Sequence, residues 1–301
     1  GDGTTRANAI EFTGGANRLT VYSFPNIDGN VVANGTDDTF EFGGSSNGAF
    51  NVSFVGPGTQ FRGFEQFEKT GTSTWRLSNT TTQTTPWTIL GGTLAIGNGA
   101  ALGSASGSLT LNGGTLRVTN STTVSNAVAV GSGNGAIEAM AGTSVAVQGA
   151  LSGAGKLTKS GAGLVSLAAD SSAFAGSIAV STGVLEVLDG FGGDIEVMAD
   201  GTLRFVQSAD RTFSGVLTGT GSLSKQGSGT TTFTEVSTSY SGTATVSGGT
   251  LLINGTLGGV SSLIQVASGG ALGGGGTLGG ALTVQSGGTL APGNSIGTLS
   301  A

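Results

Sequence analysis

The sequence of 301 residues contains no cysteine and no histidine. Without an imidazole base, a Ser–His–Asp catalytic triad cannot form. Zinc or iron sites built from His and Cys ligands are excluded for the same reason. Because cysteine is absent, no disulfide can close early, which is compatible with export of an unfolded chain. We therefore expect neither a metal nor any other cofactor.

Proline and charged side chains are also scarce. The 4 prolines suit a fold in which most backbone N–H groups donate to a hydrogen-bond ladder. There are 11 basic and 17 acidic residues, and no charged residue follows Glu235. A nucleic-acid-binding protein normally carries a basic stripe, and none is present, so no nucleic-acid partner is expected. No apolar run approaches the length of about 18 residues that a membrane helix needs.

Glycine is abundant instead, with 59 residues. No G-X-Y period accompanies it, which excludes collagen. The chain is 37% hydrophobic and 9% charged, whereas disordered chains combine low hydrophobicity with high net charge. Short groups of Leu, Val and Ile between glycines are typical of short β-strands joined by tight turns.

A strand-and-turn phrase is repeated along the chain. Residues 153–188 and 219–254 share the order Gly-x-Gly, Leu-x-Lys, Gly-x-Gly, an apolar strand end, aromatic-x-Gly and a closing strand. Residues 67–94 carry a variant of it. A repeated supersecondary unit of this kind predicts that each copy stacks on the next.

A shorter phrase, Gly-Gly-Thr-Leu, sets the period. It occurs at residues 91–94, 113–116, 248–251 and 287–290, with an off-beat copy at residues 275–278. The leucines of the regular and looser copies stand at positions 94, 116, 185, 203, 251, 272 and 290. The steps between neighbouring markers are 22, 69, 18, 48, 21 and 18 residues, and the two long steps divide into about three and two units, which predicts a solenoid.

The period predicts an all-β parallel solenoid of about 14 coils, stacked about 4.8 Å apart. Apolar residues would alternate with Thr, Ser and Asn, and glycine would supply positive φ at the corners. Helices are excluded by the frequency of glycine, and a propeller blade needs about 40 residues. Asp28-Gly29, Asn112-Gly113 and Asp200-Gly201 suit hairpins, so some antiparallel pairing stays open.

We expect one unit over residues 1–301, composed of two parts. Residues 1–70 hold 12 of the 28 charged residues and 9 of the 14 phenylalanines, and should form less regular coils with a wide aromatic interior. Residues 71–301 should form the Gly-Gly-Thr-Leu coils. Because the chain begins at Gly1 rather than Met, we expect a mature product or an excised piece of a longer protein.

Asp194 and Glu196 are the best candidates for carboxylate chemistry, because residues two apart on a strand share a face. Glu186, Asp189 and Asp200 stand close to them in the sequence. A carboxylate pair could cleave a polysaccharide, and a carboxylate cluster could bind Ca²⁺. The Ca²⁺ repeat G-G-x-G-x-D is absent, however, so we expect a solvated strand face with turn caps. Asp194, Glu196 and Asp200 stay candidate binding residues.

Trp75 and Trp87 flank the threonine-rich segment at residues 80–86. An exposed tryptophan pair can stack on sugars, so both are candidate binding residues. The more ordinary expectation is that they fill the core or cover the loop. Tyr240 takes the aromatic position of the repeat and is expected to be structural.

Lys69, Lys159 and Lys225 occupy the same position of the repeated phrase. A lysine ladder could bind phosphate or glycan, but the three residues would lie about 15–20 Å apart along the rod. We expect them to be surface residues that keep the solenoid soluble and protect strand edges.

The repeats at residues 153–188 and 219–254, with the variant at 67–94, resemble the passenger-associated repeats of type V autotransporters, exported proteins of Gram-negative bacteria. Residues 286–299, SGGTLAPGNSIGTL, are similar to a segment near the C-terminal end of many such passengers. Residues 62–71, RGFEQFEKTG, are similar to large surface adhesins of α-proteobacteria.

This resemblance implies a right-handed, single-stranded parallel β-helix, located at the bacterial cell surface or outer membrane, or secreted. It implies a translocator β-barrel as partner, C-terminal to such a passenger, and a role for the last coils in folding outside the cell. The implied function is that of an adhesin or structural stalk that attaches to host cells, extracellular matrix, glycans or sister cells. Two alternatives stay open: a polysaccharide-degrading enzyme that uses Asp194 and Glu196, and self-association through uncapped ends and flat threonine ladders.

Overall fold

The structure is a computed structural model that describes residues 6–23 and 26–293. It is an all-β parallel solenoid of about 13 turns, as the repeats predict, without an α-helix in the described residues. Two short 3₁₀ segments, Val52–Phe54 and Gly99–Leu102, interrupt the strands. Neither helical segment is long and apolar enough to cross a membrane. Residues 294–299 of the C-terminal passenger-like segment lie outside the described residues, so its role in folding stays a prediction.

Most strands are short, because glycine corners interrupt the chain every few residues, whereas those at residues 177–187 and 194–205 have 11 and 12 residues. In chain order they are β1 Asn8–Phe12, β2 Arg18–Tyr22, β3 Asn30–Ala33, β4 Thr39–Gly43, β5 Gly48–Asn51, β6 Phe61–Arg62, β7 Gln66–Lys69, β8 Thr74–Ser78, β9 Trp87–Ile89, β10 Thr93–Ile96, β11 Leu109–Leu111, β12 Thr115–Val118, β13 Thr122–Val124, β14 Val128–Val130, β15 Gly135–Ala139, β16 Ser144–Val147, β17 Leu151–Gly153, β18 Lys156–Ser160, β19 Leu164–Leu167, β20 Ser177–Val187, β21 Asp194–Phe205, β22 Arg211–Phe213, β23 Leu217–Gly219, β24 Ser222–Lys225, β25 Thr230–Phe233, β26 Val236–Ser237, β27 Thr243–Val246, β28 Gly249–Ile253, β29 Thr256–Leu257, β30 Leu263–Val266, β31 Gly270–Gly274, β32 Thr277–Leu278, β33 Ala281–Val284 and β34 Thr289–Pro292.

These strands form long sheets that follow the solenoid axis. The largest has 16 strands, and its main path runs from β5 to β33 through strands of successive coils. A 7-stranded sheet from β2 to β17 and a 5-stranded sheet from β22 to β34 form other faces, and two 3-stranded sheets complete the set. Each strand therefore pairs mainly with its equivalents one coil earlier and one coil later.

All strand ladders in residues 6–23 and 26–293 are parallel. An isolated antiparallel bridge joins Gly274 and Gly293. None of the glycine dipeptides that suited hairpins forms one in this part of the chain. Gly113, at φ +122°, is a corner residue, whose backbone N–H donates to the carbonyl oxygen of Asn134 at 2.6 Å.

The leucine markers are register partners in adjacent coils. Leu94 pairs with Leu116, and Leu185 with Leu203. The off-beat copy of Gly-Gly-Thr-Leu is explained by its position, because Leu278 belongs to β32, in a small sheet separate from that of β31. The phrase therefore marks a corner followed by a strand, whichever face that strand joins.

The interior is a continuous stack of side chains from alternate strand positions. In the N-terminal coils it is aromatic, as predicted: the ring of Phe42 stacks on Trp75 at 4.3 Å between centroids and on Trp87 at 5.4 Å. A second aromatic stack of Phe174, Phe191 and Phe213 lies deeper in the chain. Apolar burial on this scale supplies the main driving force for stacking.

Candidate functional site

The three lysines of the repeated phrase lie inside the solenoid, so the prediction that they are surface residues is wrong. Lys69, Lys159 and Lys225 are 0%, 1% and 0% exposed. Each occupies an inward position of a strand between apolar residues of adjacent coils. Lys159, for example, pairs with Ile137 of the preceding coil and Val180 of the following one.

The buried ammonium groups are bound by backbone carbonyls at the corners. Lys159 Nζ donates to the carbonyl oxygens of Gly161 at 2.6 Å, Gly163 at 2.7 Å and Thr182 at 2.7 Å. Gly161 and Gly163 form the corner that follows the lysine, whereas Thr182 belongs to the next coil. We call this arrangement a lysine clamp: a buried repeat lysine that binds carbonyl oxygens of its own corner and of the next coil.

The other two repeat lysines form the same kind of clamp. Lys69 Nζ donates to the carbonyl oxygens of Thr70 and, in the next coil, of Gly91 at 3.2 Å. Lys225 Nζ donates to those of Gly227 and, in the next coil, of Gly248 at 3.4 Å. An ammonium removed from water needs such acceptors, because its desolvation is otherwise strongly unfavourable.

Burial also changes the titration of the clamp lysines. It lowers the pKa of Lys69 and of Lys159 to about 8, with Glu41 opposing the change at Lys69. Burial lowers the pKa of Lys225 as well, and Asp210 opposes it. The three side chains thus share a location, a set of acceptors and a direction of pKa change, although they stand far apart in the sequence.

A glycine of the next coil covers each clamp. A Cβ atom would lie 2.7 Å from Lys69 Nζ at Gly92, 2.5 Å from Lys159 Nζ at Gly183 and 2.9 Å from Lys225 Nζ at Gly249. The same glycines have φ of +62°, +69° and +57°. The lysine of one coil and the glycine of the next are therefore a matched pair, because any side chain at the glycine would collide with the ammonium.

Tyr240 is structural, as predicted. Its ring is 0% exposed, and its hydroxyl donates to the carbonyl oxygen of Gly221 at 3.0 Å. Burial raises the pKa of this phenol. Phe174, which takes the equivalent position of the preceding repeat, is buried as well.

The tryptophan pair belongs to the core. Trp75 is 0% exposed and Trp87 is 2% exposed, and both rings pack against Phe42. Neither ring can stack on a sugar from the surface in this conformation, so their candidacy as binding residues is not supported. The expectation that they fill the core is confirmed.

Asp194 and Glu196 do share the outer face of β21, and each is engaged by a neighbour. The Asp194 carboxylate accepts the backbone N–H of Val216 at 2.8 Å. Glu196 forms an ion pair with Lys156 at 3.0 Å. Asp200 is exposed on the same strand.

Nearby carboxylates are paired in the same way. Glu186 lies 3.2 Å from Arg204, and Asp189 lies 2.6 Å from Arg211. No group of three or more His, Cys, Asp or Glu residues is arranged to hold a metal ion within residues 6–23 and 26–293. Apart from Asp200, the acidic stretch thus forms ion pairs and backbone contacts with adjacent coils and, at Glu196, with a coil two away.

The lysine clamps predict a strong contrast in chemical reactivity. With an amine-reactive acetylating reagent at pH 8.5, Lys156, whose side chain is 45% exposed, should be modified quickly, while Lys69, Lys159 and Lys225 should react only after denaturation. A lowered pKa would by itself speed acylation, so slow labelling reports burial. Peptide mass spectrometry over a time course measures the four rates. Equal rates in the folded protein would contradict the clamp geometry.

Comparison with known proteins is consistent with these features. The passenger-associated-transport-repeat family matches residues 67–96, 157–187 and 223–253, so the predicted repeats are confirmed. The chain is 32% identical over 161 residues to the adhesin BmaC autotransporter of Brucella suis biovar 1 (strain 1330). This match covers 54% of the chain but 5% of the length of that relative. No solved structure matches the chain.

Proposed function

We propose that this chain is a passenger segment of an autotransporter, displayed at the bacterial surface or released from it, and that it serves as an adhesive stalk. The observation that supports this best is that the family repeats and the lysine clamps occupy the same segments of the chain. The segments that match the passenger repeat, residues 67–96, 157–187 and 223–253, are those that contain the clamps of Lys69, Lys159 and Lys225. Similarity to part of an adhesin supports the adhesive role.

The solenoid suits a stalk because every coil is held by its neighbours. Parallel ladders tie each coil to two others, and the interior stack is continuous along the axis. Such quasi-one-dimensional folds extend without limit by adding coils, and they present long surfaces to partners. The proposed partners are host cells, extracellular matrix or glycans.

The outer faces repeat small polar side chains over a long surface. Along the 7-stranded sheet, the outward positions of β9, β11, β14 and β17 are Thr88, Thr110, Ala129 and Ser152. Neighbouring positions of this ladder lie about 4.8 Å apart, and all but Ala129 carry a hydroxyl group. Contact distributed over such a surface gains strength when many copies engage together.

The observations do not favour the enzymatic alternative. A carboxylate pair that cleaves a glycosidic bond needs one group free to protonate the leaving oxygen and one free to attack or to activate water. Asp194 is bound to the N–H of Val216 and Glu196 to Lys156. We therefore advance only the adhesive function.

Beads coated with the chain test this proposal. They are expected to bind cultured epithelial cells and immobilised matrix proteins several-fold better than albumin-coated beads. A variant that lacks residues 95–116 removes one coil in register, because Leu94 and Leu116 are ladder partners. If contact is distributed, this variant binds less well but still binds. Binding no better than that of albumin on every surface would overturn the adhesive role.

A further inference from the structure

Most cationic side chains in residues 6–23 and 26–293 have a defined partner. The clamp lysines bind carbonyl oxygens. The residues that pair with carboxylates are Arg18, Arg117, Lys156, Arg204 and Arg211. The remaining cations are Arg6, Arg62 and Arg76, whose guanidinium groups form neither an ion pair nor a hydrogen bond with the described residues. All three line one region of the N-terminal coils.

That region consists of two adjoining hollows. The first, with a volume of about 720 Å³, lies on the outer face of the small sheet formed by β1, β3 and β6, and Arg6 and Arg62 line it. The second, of about 510 Å³, lies beside β8, and Arg76 lines it. Ser53 lines both, so the segment that begins with the 3₁₀ turn Val52–Phe54 separates them. Both volumes are in the range of small-ligand sites.

The lining has the chemistry of a site for an anion that also carries hydroxyl groups. Among residues 6–23 and 26–293, no carboxylate lines either hollow, although the chain as a whole has a net charge of −6. The polar groups beside the arginines are mainly amides and hydroxyls. They are Asn8, Asn30, Ser53, Thr59 and Gln60 in the first hollow, and Ser53, Ser78, Asn79, Thr80, Asn98 and Asn120 in the second.

Each group has a matching role. Guanidinium forks bind carboxylate or sulfate groups through paired hydrogen bonds. Side-chain amides both donate and accept, which suits sugar hydroxyls. Phe54, at the edge of the first hollow, has an exposed fraction of 46% and offers an aromatic face to an apolar sugar face.

The nearest strand carries one carboxylate, which is already engaged. Glu11 lies on β1, and its oxygens accept hydrogen bonds from Asn8 Nδ2 at 3.1 Å and Asn34 Nδ2 at 3.2 Å. It does not line the first hollow. More distant acidic residues are screened, because the Debye length is about 8 Å at physiological ionic strength.

We propose that the two hollows on either side of Ser53 form a binding site for an acidic saccharide, carboxylated or sulfated. The proposal deepens the adhesive function and rests on it for its biological meaning. A polymer that crosses the segment at Ser53 would meet Arg62 on one side and Arg76 on the other. The charge-free coils after Glu235 offer no such recognition.

The test uses a heparin-derived oligosaccharide, polysialic acid and neutral dextran as probes for the whole chain. The two acidic saccharides represent the sulfated and carboxylated classes. Binding of at least one of them is expected, and R62A/R76A should weaken it at least tenfold. R62K/R76K should restore only part of it, because lysine keeps the charge but loses the planar fork.

The matched control is R117A/K156A, which removes the same charge from residues that are ion-paired and partly exposed. It should bind the saccharide as the unchanged chain does, and the urea midpoints of all variants should agree. The site is overturned if no acidic saccharide binds, if neutral dextran binds as tightly as the acidic saccharides, or if the control loses as much affinity as R62A/R76A.

Failure of this site is distinguishable from failure of the adhesive function. If the beads bind cells and matrix but no acidic saccharide binds the chain, the saccharide site fails alone. If the chain binds the acidic saccharide through these arginines but its beads ignore cells and matrix, the adhesive function fails alone.

Discussion

Replacement of Lys159 by methionine is expected to lower the free energy of unfolding by about 3–5 kcal/mol, because it removes three hydrogen bonds that a buried ammonium donates to backbone carbonyl oxygens. Lys159 Nζ is bound to the carbonyls of Gly161, Gly163 and Thr182, which span two coils. Methionine keeps most of the length and apolar volume of the side chain, so the loss isolates the ammonium. Urea unfolding followed by circular dichroism measures the change.

The control lies on the same strand. Lys156 is on β18 with its side chain 45% exposed, and its partner is the surface carboxylate of Glu196. Such surface pairs contribute about 0–1 kcal/mol, so Lys156→Met should have a small effect. If the two methionine variants unfold at the same urea concentration, the clamp makes no net contribution and its interpretation as a stabilising element is wrong.

Gly183→Ala is expected to be nearly as damaging, at about 3 kcal/mol or more. The new Cβ would lie 2.5 Å from both Lys159 Nζ and the carbonyl oxygen of Gly161, and 2.6 Å from that of Gly163. Backbone atoms on two sides cannot move away easily, because the ladder hydrogen bonds of adjacent coils fix them. The unfolding midpoint again measures the effect.

Gly142→Ala is the control that distinguishes steric collision with the clamp from backbone strain as the cause of the loss at Gly183. Gly142 has φ +74°, close to the +69° of Gly183, but nothing lies within 4 Å of a Cβ atom there. Its replacement should therefore cost only the left-handed conformation, about 1–2 kcal/mol. Equal losses at the two glycines would show that positive φ, and not the clamp beneath Gly183, explains its requirement for glycine.

Much of the fold could be predicted from the sequence, because the leucines and glycines of the repeat recur at a regular spacing. Leucines separated by one period, such as Leu251 and Leu272, are ladder partners. The glycines between them supply the corners. The predicted number of coils, about 14, is close to the observed number of about 13. Coils in the N-terminal part are longer than the period, since Thr39 pairs with Gln66, 27 residues later.

The orientation of the lysines was within reach of the sequence but was missed. Charged residues are seldom fully buried without partners, and this rule favoured a surface position for the three lysines. Strand alternation gives the opposite answer: in Leu157-Thr158-Lys159 the lysine has the parity of the buried leucine. The same parity places Trp75 with Leu77 inside. The Gly-x-Gly corner after Lys159 supplies the acceptors that the rule requires.

The arginine hollows could not be found in this way. Arg62 and Arg76 belong to different sheets, and they adjoin one region only because the turn at Val52–Phe54 shapes it. That turn is held by Asn51, whose side chain accepts the N–H of Ser53 at 3.0 Å. Nothing periodic marks these residues, so their proximity follows from the irregular part of the chain.

The position of the clamps has a mechanical consequence for a stalk that is pulled at its ends. A solenoid under tension unravels from an end, and a coil such as that between Leu94 and Leu116 releases roughly 75 Å of slack. Each clamp joins a coil to the next through buried groups. To separate the two coils, the ammonium and its carbonyl acceptors must be exposed to water at the same time. Lys69, Lys159 and Lys225 are separated by 90 and 66 residues. Unfolding that proceeds coil by coil would therefore be resisted at each clamp, and the unfolded part would be confined to the coils between an end and the nearest clamp.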